Sequence, residues 1–381
     1  MTTTMIGPDP LADPAEEVRH FVDDEIVPHA DEWDRAERIP RELLGRISEL
    51  GLWAPFLPPE HGGGAMPWTH VGRVHEEVGR GCSSVRSLLT VHTMVAGTVQ
   101  RWGTDEQRAR LLPALATGEL LGAFCLSEPD SGSAADASGT VAVADGDGWT
   151  VTGTKKWITG GQIADLLLLF ARTGDAMSAF LVPADTPGIT VTPLTGMMGT
   201  PGSMLAQIDL DSVHLDAEAL VGPENWAAGT VMTGALDLGR FSVACGSVGV
   251  IRACLDACVD YTTRRQVKGT GLAELPLIRR KISDMVVSSR AGRLLCAEAG
   301  SLKDAGDPAT IMASWVAKYY ASTAATRASA EAVQIHGANG FSPEYPVARL
   351  YRDARVAEVI EGSTELQQLT IADEAYREAR R

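Results

Sequence analysis

The sequence predicts an α+β multidomain fold: an N-terminal all-α domain over residues 1–122, a central antiparallel β-barrel or sandwich over 123–223, and a C-terminal four-helix bundle over 224–381. Three observations carry this. Apolar residues recur at three- and four-residue spacing in the first zone, the period of a helix with one buried face, and the last zone returns to helix with a long, largely apolar stretch of small residues, as in a central bundle helix. Between them the texture changes to short runs rich in Val, Leu and Thr, separated by Gly, Pro and Asp, which is the pattern of strands and turns. A length of 381 residues, 45% apolar and 22% charged, is enough to bury a large core.

In the first zone Pro14–Trp33, Pro40–Leu50, Trp68–Arg80 and Ser84–Trp102 read as amphipathic helices. Thr104 before Asp105-Glu106-Gln107 is a helix N-cap with acids in the first turn. Pro58-Pro59 and Gly62-Gly63-Gly64 mark a loop. In the second zone Thr140–Ala144, Trp149–Thr152, Leu166–Ala171, Ala179–Val182, Ile189–Pro193 and Leu205–Leu210 read as strands. Asp145-Gly146-Asp147-Gly148 is a hairpin turn signal. No segment between the strands has room for a crossover helix, so the sheet is expected to be antiparallel. In the third zone Val231–Gln266, Leu277–Ala305 and Pro308–Ile335 read as bundle helices. Gly337–Pro346 is a loop, and a final helical segment starts near Ser363.

A formal net charge of −16 argues against nonspecific binding to nucleic acid or an anionic membrane. No stretch is read as the ~20 apolar residues that span a bilayer. Met1–Pro14 carries acids and prolines but neither a basic n-region nor an apolar h-region, so the expectation is a cytoplasmic protein. The six cysteines form no CxxC pair. Cys254 and Cys258 share a helix face, but no histidine follows at zinc-finger spacing, so small buried residues and no metal site are expected.

No GxGxxG opens a helix after a strand, and neither GxSxG nor HExxH is present, so Rossmann, serine-hydrolase and zincin chemistry lack support. Four other blocks stand out. Ala123-Phe-Cys-Leu-Ser-Glu-Pro-Asp-Ser-Gly-Ser133 is either a turn between strands or a loop that points amides and hydroxyls at a ligand. In Gly153-Thr-Lys-Lys-Trp-Ile-Thr-Gly-Gly161, Trp157 either packs at a strand end or lies against a planar ring, with Thr159 at its edge. Gln334-Ile-His-Gly-Ala-Asn-Gly340 is either a helix C-terminus or a close backbone approach to a ligand. In the fourth block Glu361 lies between Val359-Ile360 and Gly362-Ser363-Thr364. It is either a residue at the start of a helix capped by Ser363 or Thr364, or a general base whose pKa is raised by apolar surroundings.

Taken in order, Gly118–Pro129, Gly153–Gly161, Gln334–Pro346 and Tyr351–Ile371 resemble the signatures of the acyl-CoA dehydrogenase family, and the resemblance covers nearly the whole chain. It implies FAD as cofactor and a thioester-linked acyl substrate. Phe124, Leu126, Ser127 and Ser133 would line the flavin and pyrophosphate, and Trp157 and Thr159 would flank the ring. Arg265 would reach the pyrophosphate of a neighbouring subunit. Gln334, Gly337 and Gly340 would hold the adenosine end, and Ser363 and Glu365 would contact the cofactor after the base. The implied assembly is a homo-oligomer, tetramer or dimer. Glu361 would take the α-proton while hydride leaves the β-carbon for flavin N5. Its backbone N–H and a flavin ribityl hydroxyl would steady the enolate. Some members carry the base where Gly239 stands here, which leaves Glu361 as the family-style candidate. Arg240 either tunes Glu361 or forms a bundle salt bridge. Gln266-Val-Lys-Gly269, the region of Pro276 and Gly132-Ser-Ala134 depart from the family pattern, which puts the adenosine end and one polar contact in doubt.

Cys82-Ser-Ser-Val-Arg-Ser-Leu-Leu-Thr-Val-His92 resembles a subgroup acting on acyl groups carried by acyl carrier protein, in methoxymalonyl-type extender-unit biosynthesis for polyketides. Arg86, with Ser133, would meet a polar or acidic acyl group; alternatively Arg86 forms a surface or interdomain salt bridge. The alternatives are a catabolic short-chain acyl-CoA dehydrogenase, a flavin oxidase or monooxygenase on the same fold, and a non-catalytic scaffold. The electron acceptor is electron-transfer flavoprotein or oxygen.

Overall fold

The computed structural model describes residues 16–132 and 138–380. Helices form both ends and a curled sheet the middle. The helices α1 (Glu16–Phe21), α2 (Ala30–Ala36), α3 (Arg41–Glu49), α4 (Trp68–Gly81), α5 (Ser83–Trp102) and α6 (Asp105–Thr117) come first. The expected helix Pro14–Trp33 is instead interrupted. A π-helical turn at Val22–Ile26 follows α1, and the chain restarts as α2 beyond Pro28, which has no N–H to continue a helix. Thr104 caps α6 in a full capping box with Gln107.

The strands are β1 (Gly122–Cys125), β2 (Val141–Asp145), β3 (Gly148–Ile158), β4 (Leu166–Thr173), β5 (Ala176–Pro183), β6 (Ile189–Pro193) and β7 (Ala206–Asp216). All six expected runs are strands. The sheet is mixed rather than wholly antiparallel, because β1 pairs in parallel with β4, Gly122 opposite Leu166. The excursion between these two strands holds the β2–β3 hairpin, so a parallel pair forms without a crossover helix. β4 is buried at seven of its eight positions, from sheet neighbours and from α5 and the core behind it.

The C-terminal bundle consists of α7 (Val231–Arg264), α8 (Pro276–Asp304), α9 (Thr310–His336), α10 (Val347–Val359) and α11 (Thr364–Glu378). α10 forms where the sequence predicts no helix. Between α7 and α8, β8 (Gln266–Val267) and β9 (Thr270–Gly271) form a hairpin. Its two turn residues, Lys268 and Gly269, both have positive φ, the geometry of a tight hairpin turn. Pro276 starts α8, where its missing N–H costs nothing. Contrary to expectation, α7 is long and apolar enough to span a membrane, yet most of that apolar window is buried inside the bundle. It packs on α4, α5, α8 and α9. The six cysteines are buried and free.

α4 and α7 approach backbone to backbone: a Cβ on Gly79 would lie 2.6 Å from Gly246 Cα. Glu76 and Glu77, buried on α4, tie this contact to α7 and α8 through Arg252 and Arg293. The Arg252 Nη1–Glu76 Oε1 distance is 2.8 Å, and Arg293 Nη2–Glu76 Oε1 is 2.6 Å.

His92 joins α5 to α6 and β1. Its Nδ1 accepts from Gly122 N–H at 3.2 Å, so its Nε2 donates to Leu115 O at 2.8 Å, which fixes the neutral tautomer. Burial pushes its pKa down to about 4, and burial with the nearby Arg86 charge pushes His75 to about 3. Both contribute stability that is present above 6.5, the unfolded imidazole value, and is lost as pH falls toward those folded values. Urea midpoints are therefore expected to drop between pH 7 and pH 5. Replacing His92 with Leu should lower the midpoint at both pH values yet flatten the slope, by up to about 1.4 kcal/mol per pH unit. An unchanged slope would show that His92 protonates freely in the folded protein.

Candidate active site

Glu361 sits in the turn between α10 and α11. Its φ is 57°, and Gly362 follows at 95°. Only glycine takes this conformation freely; for a glutamate it costs about 1–2 kcal/mol. Ser363 then caps α11, its hydroxyl accepting from Leu366 N–H. Three side chains grip the turn's carbonyls. Arg240 Nε donates to Glu361 O at 3.0 Å, Lys318 Nζ to Gly362 O at 2.7 Å, and Gln367 Nε2 to Gly362 O at 2.6 Å.

The Glu361 carboxylate lies against α7. A Cβ on Gly239 would stand 2.6 Å from Glu361 Cδ, so the carboxylate occupies the space that glycine leaves. As a whole the residue is half-buried, but Oε2 is shut from solvent and has no hydrogen-bond partner among the described residues. Burial raises the carboxyl pKa to about 7, against the opposing charges of Arg240, Lys318 and Arg86. A carboxylate poised near neutrality, with a free oxygen, suits proton abstraction.

Its three cationic neighbours are buried. Arg240 stacks on Trp315, with Cζ 3.9 Å from the ring centroid, and burial holds its pKa down. Arg240 thus meets Glu361 through the backbone carbonyl; the sequence alternative, a bundle salt bridge, is not formed among the described residues. Burial brings Lys318 down to about 7, with Glu361 pulling the other way. Arg86 is lowered to about 10 by burial, while the charges of Glu361 and Asp353 oppose the shift. Its Nη1 donates to Thr90 Oγ1 at 3.0 Å, and Thr90 reaches Ser242 and then His75 at 2.6 and 2.9 Å. No carboxylate forms an ion pair with Arg86 among the described residues, contrary to a salt-bridge role. A Cβ on Gly246 would lie 2.9 Å from Arg86 Cδ and Nε. Gly239, Ser242 and Gly246 share one face of α7, so small residues at helical spacing make room for both Glu361 and Arg86.

The strand-borne residues form a neighbouring wall. Phe124 packs against the cluster of Val91, Met94 and Ala235, the last of these one turn before Gly239. Lys155 Nζ donates to Leu126 O at 3.1 Å and Lys156 N–H to Ser127 O at 2.9 Å. These bonds bring the segment after β1 beside Trp157 on β3 and Thr159 just past its end. Lys155 also pairs with the buried Glu128 at 2.6 Å. Trp157 is 49% exposed and has φ 65°. The hydroxyls of Ser127 and Thr159 bond to nothing among the described residues. An exposed indole in a costly conformation beside free hydroxyls fits a flat, hydrogen-bonding ring system such as a flavin. Ser133 lies outside the described residues.

The other expected cofactor residues are elsewhere. Arg265 is exposed at the far end of α7, 26 positions beyond Gly239 and so about 39 Å along the helix. Gln334 and Gly337 are exposed at the end of α9, and Gly340 is packed against Val333. Gln334 stands 16 positions beyond Lys318, about 24 Å along α9. Glu365 is exposed in the first turn of α11. Lys318 and Gln367, which hold the Gly362 carbonyl, are not among the residues expected from the sequence. For Lys318 the signal was present: a single lysine on the Ala-rich face of α9, among Ala317, Ala321, Ala324, Ala325 and Ala328.

Models of the acyl-CoA dehydrogenase N-terminal, middle and C-terminal domains match residues 13–119, 123–213 and 228–376. The mitochondrial short-chain specific acyl-CoA dehydrogenase of Bos taurus is 36% identical over 360 residues, covering 93% of this chain and 87% of the relative. A glutaryl-coenzyme A dehydrogenase in complex with glutaryl-CoA superposes with a TM-score of 0.90 at 34% identity, over 93% of this chain and 92% of the other. FkbI, described as acting in biosynthesis of the methoxymalonyl extender unit of the polyketide Fk520, superposes with a TM-score of 0.88 at 33% identity, over 94% and 99%. With a half-buried glutamate in the last interhelical turn and an indole and free hydroxyls at the ends of neighbouring strands, the chain belongs to the acyl-CoA dehydrogenase family, whose members are FAD-dependent oxidoreductases of acyl thioesters.

Proposed function

We propose that Glu361 is the base of this FAD-dependent dehydrogenase, and that its substrate is a polar or acidic acyl group on an acyl carrier protein, as in extender-unit biosynthesis. The observation that carries the acidic acyl group is Arg86: a buried guanidinium whose charge acts on Glu361, hydrogen-bonded to a threonine hydroxyl and to no carboxylate among the described residues. A substrate carboxylate would complete it with charge-assisted hydrogen bonds. One similar structure holds glutaryl-CoA, whose acyl group carries a free carboxylate, and another serves biosynthesis of a methoxymalonyl unit, which carries one as well. The short-chain acyl-CoA dehydrogenase relatives support the catabolic alternative.

FAD, when bound, supplies the hydride acceptor. Phe124, Leu126, Ser127, Trp157 and Thr159 would hold its ring. Glu361 removes the α-proton, and the cations around it favour the ionised base. The distance of Arg265, Gln334, Gly337 and Gly340 from Glu361 supports their serving the cofactor of a neighbouring copy. Leu277, Val287 and Leu294, exposed along α8, would be covered in such a homo-oligomer. Electrons would pass on to an electron-transfer flavoprotein or to oxygen.

The test is anaerobic bleaching of the flavin band near roughly 450 nm with matched acyl groups on carrier protein and on CoA. Bleaching only with the carrier-bound form is expected, and equal turnover of the CoA ester would refute the carrier. Arg86→Met should cut kcat/KM for an acidic acyl group by about 10²–10³-fold, the loss expected on truncating a buried charge partner. An equal loss for an unsubstituted acyl group would refute the acid.

A further inference from the structure

We propose that Lys318 and Gln367 are positioning residues for the dehydrogenation: with Arg240 they clamp the carbonyls of Glu361 and Gly362 and thereby hold the base and its amide in a left-handed turn. This rests on Glu361 being the base. Gly362 takes its positive φ freely, but a glutamate at positive φ relaxes to an ordinary conformation unless neighbours hold it. Here the holders come from three helices: Arg240 from α7, Lys318 from α9 and Gln367 from α11.

Gly362 O accepts from two of them, which uses both lone pairs of one carbonyl. Lys318 and Gln367 are each wholly buried. Their donors therefore have no water to turn to. The Gln367 amide points its nitrogen at Gly362 and leaves its own Oε1 buried without a partner among the described residues. An amide that accepts this cost is held for its donor.

Satisfying a carbonyl needs no charge, yet Lys318 brings one below its pKa of about 7. Its ammonium contacts Gly362 O and, at 3.5 Å, Glu358 O, and forms no ion pair among the described residues. The charged groups acting on it are Glu361, Arg240, Glu358 and Glu365, and those acting on Glu361 are Arg240, Lys318 and Arg86. The lysine thus does two things: it fixes the turn, and it favours the ionised form of Glu361.

The test compares Lys318→Met and Gln367→Met holoenzymes with the wild type and with Glu361→Gln, by anaerobic flavin reduction across pH. Lys318→Met should reduce flavin about 10²-fold more slowly at saturating substrate, the scale of a misplaced reacting group. Its pH midpoint should move upward, with KM and FAD content unchanged. Gln367→Met should slow reduction about 10-fold with the midpoint in place, since it removes a donor but no charge. A merely structural lysine would lower FAD content or Tm and leave the midpoint where it was. A wild-type rate and midpoint in FAD-loaded Lys318→Met overturns the proposal. If that variant fails to fold, a wild-type rate in Gln367→Met overturns it, and if neither folds the clamp is a folding element and the proposal falls. Retained activity in Glu361→Gln would instead overturn the assignment of the base itself.

Discussion

Glu361→Gln is expected to slow flavin reduction by about 10⁴-fold, the upper end of what a general base contributes, while the protein still folds and binds FAD. The substitution keeps the shape of the side chain. It also removes no hydrogen bond at Oε2, which has none among the described residues. The grip of Arg240 is on the backbone carbonyl and survives the change. What is lost is the ability to take a proton, and neither Arg240 nor Arg86 can replace it while protonated. The wild-type rate should follow the same group. Burial raises the Glu361 pKa to about 7, and a base works when deprotonated, so the rate rises with pH through about 7 and levels above it. Stopped-flow reduction under anaerobic conditions checks both points. A loss under ten-fold, with a flat pH profile, would place the base on another residue.

Much of this arrangement is legible in the sequence because it is local. The long apolar, small-residue run of α7, the Thr104 cap and the Asp145–Gly148 turn are written in contiguous residues. Glu361 stands out by its block, whose Gly-Ser-Thr sequence is also a helix start. What was hidden depends on partners distant in the chain. The parallel β1–β4 pair joins residues 44 positions apart in register, and no local signal distinguishes it from an antiparallel one. On α10 the buried Arg349 and Asp353 interrupt the apolar stripe; Arg355 pairs with Glu358 within the helix, but Arg349 and Arg352 find Asp31 and Asp34 only in the fold. Gly239 stood out in the sequence only as the absence of a base. Its meaning, space for Glu361, exists only once a residue 122 positions later folds against it.

That space yields the second large effect. Gly239→Ala should lower kcat by about 10²-fold, the scale of a reacting group displaced by about 1 Å, with little change or a small gain in Tm. Glycine in a helix interior is less stable than alanine by about 1 kcal/mol, and Gly239 lies well inside α7. On helix stability alone, alanine is the better residue. The added methyl, however, would stand 2.6 Å from Glu361 Cδ, far inside van der Waals contact. The carboxylate is the end of a flexible side chain, so it yields while the backbone stays. Its own turn is held by three donors on the carbonyls, so the movement is confined to the side chain and aimed away from its position over α7. Stability and activity thus move in opposite directions, the usual consequence when a site keeps a residue that the helix alone would not favour. Thermal unfolding and anaerobic flavin reduction, measured on one preparation, separate the two. A fall in both together would mean that Gly239 serves the packing of α7, and an unchanged kcat would mean that the carboxylate reacts from a position clear of α7.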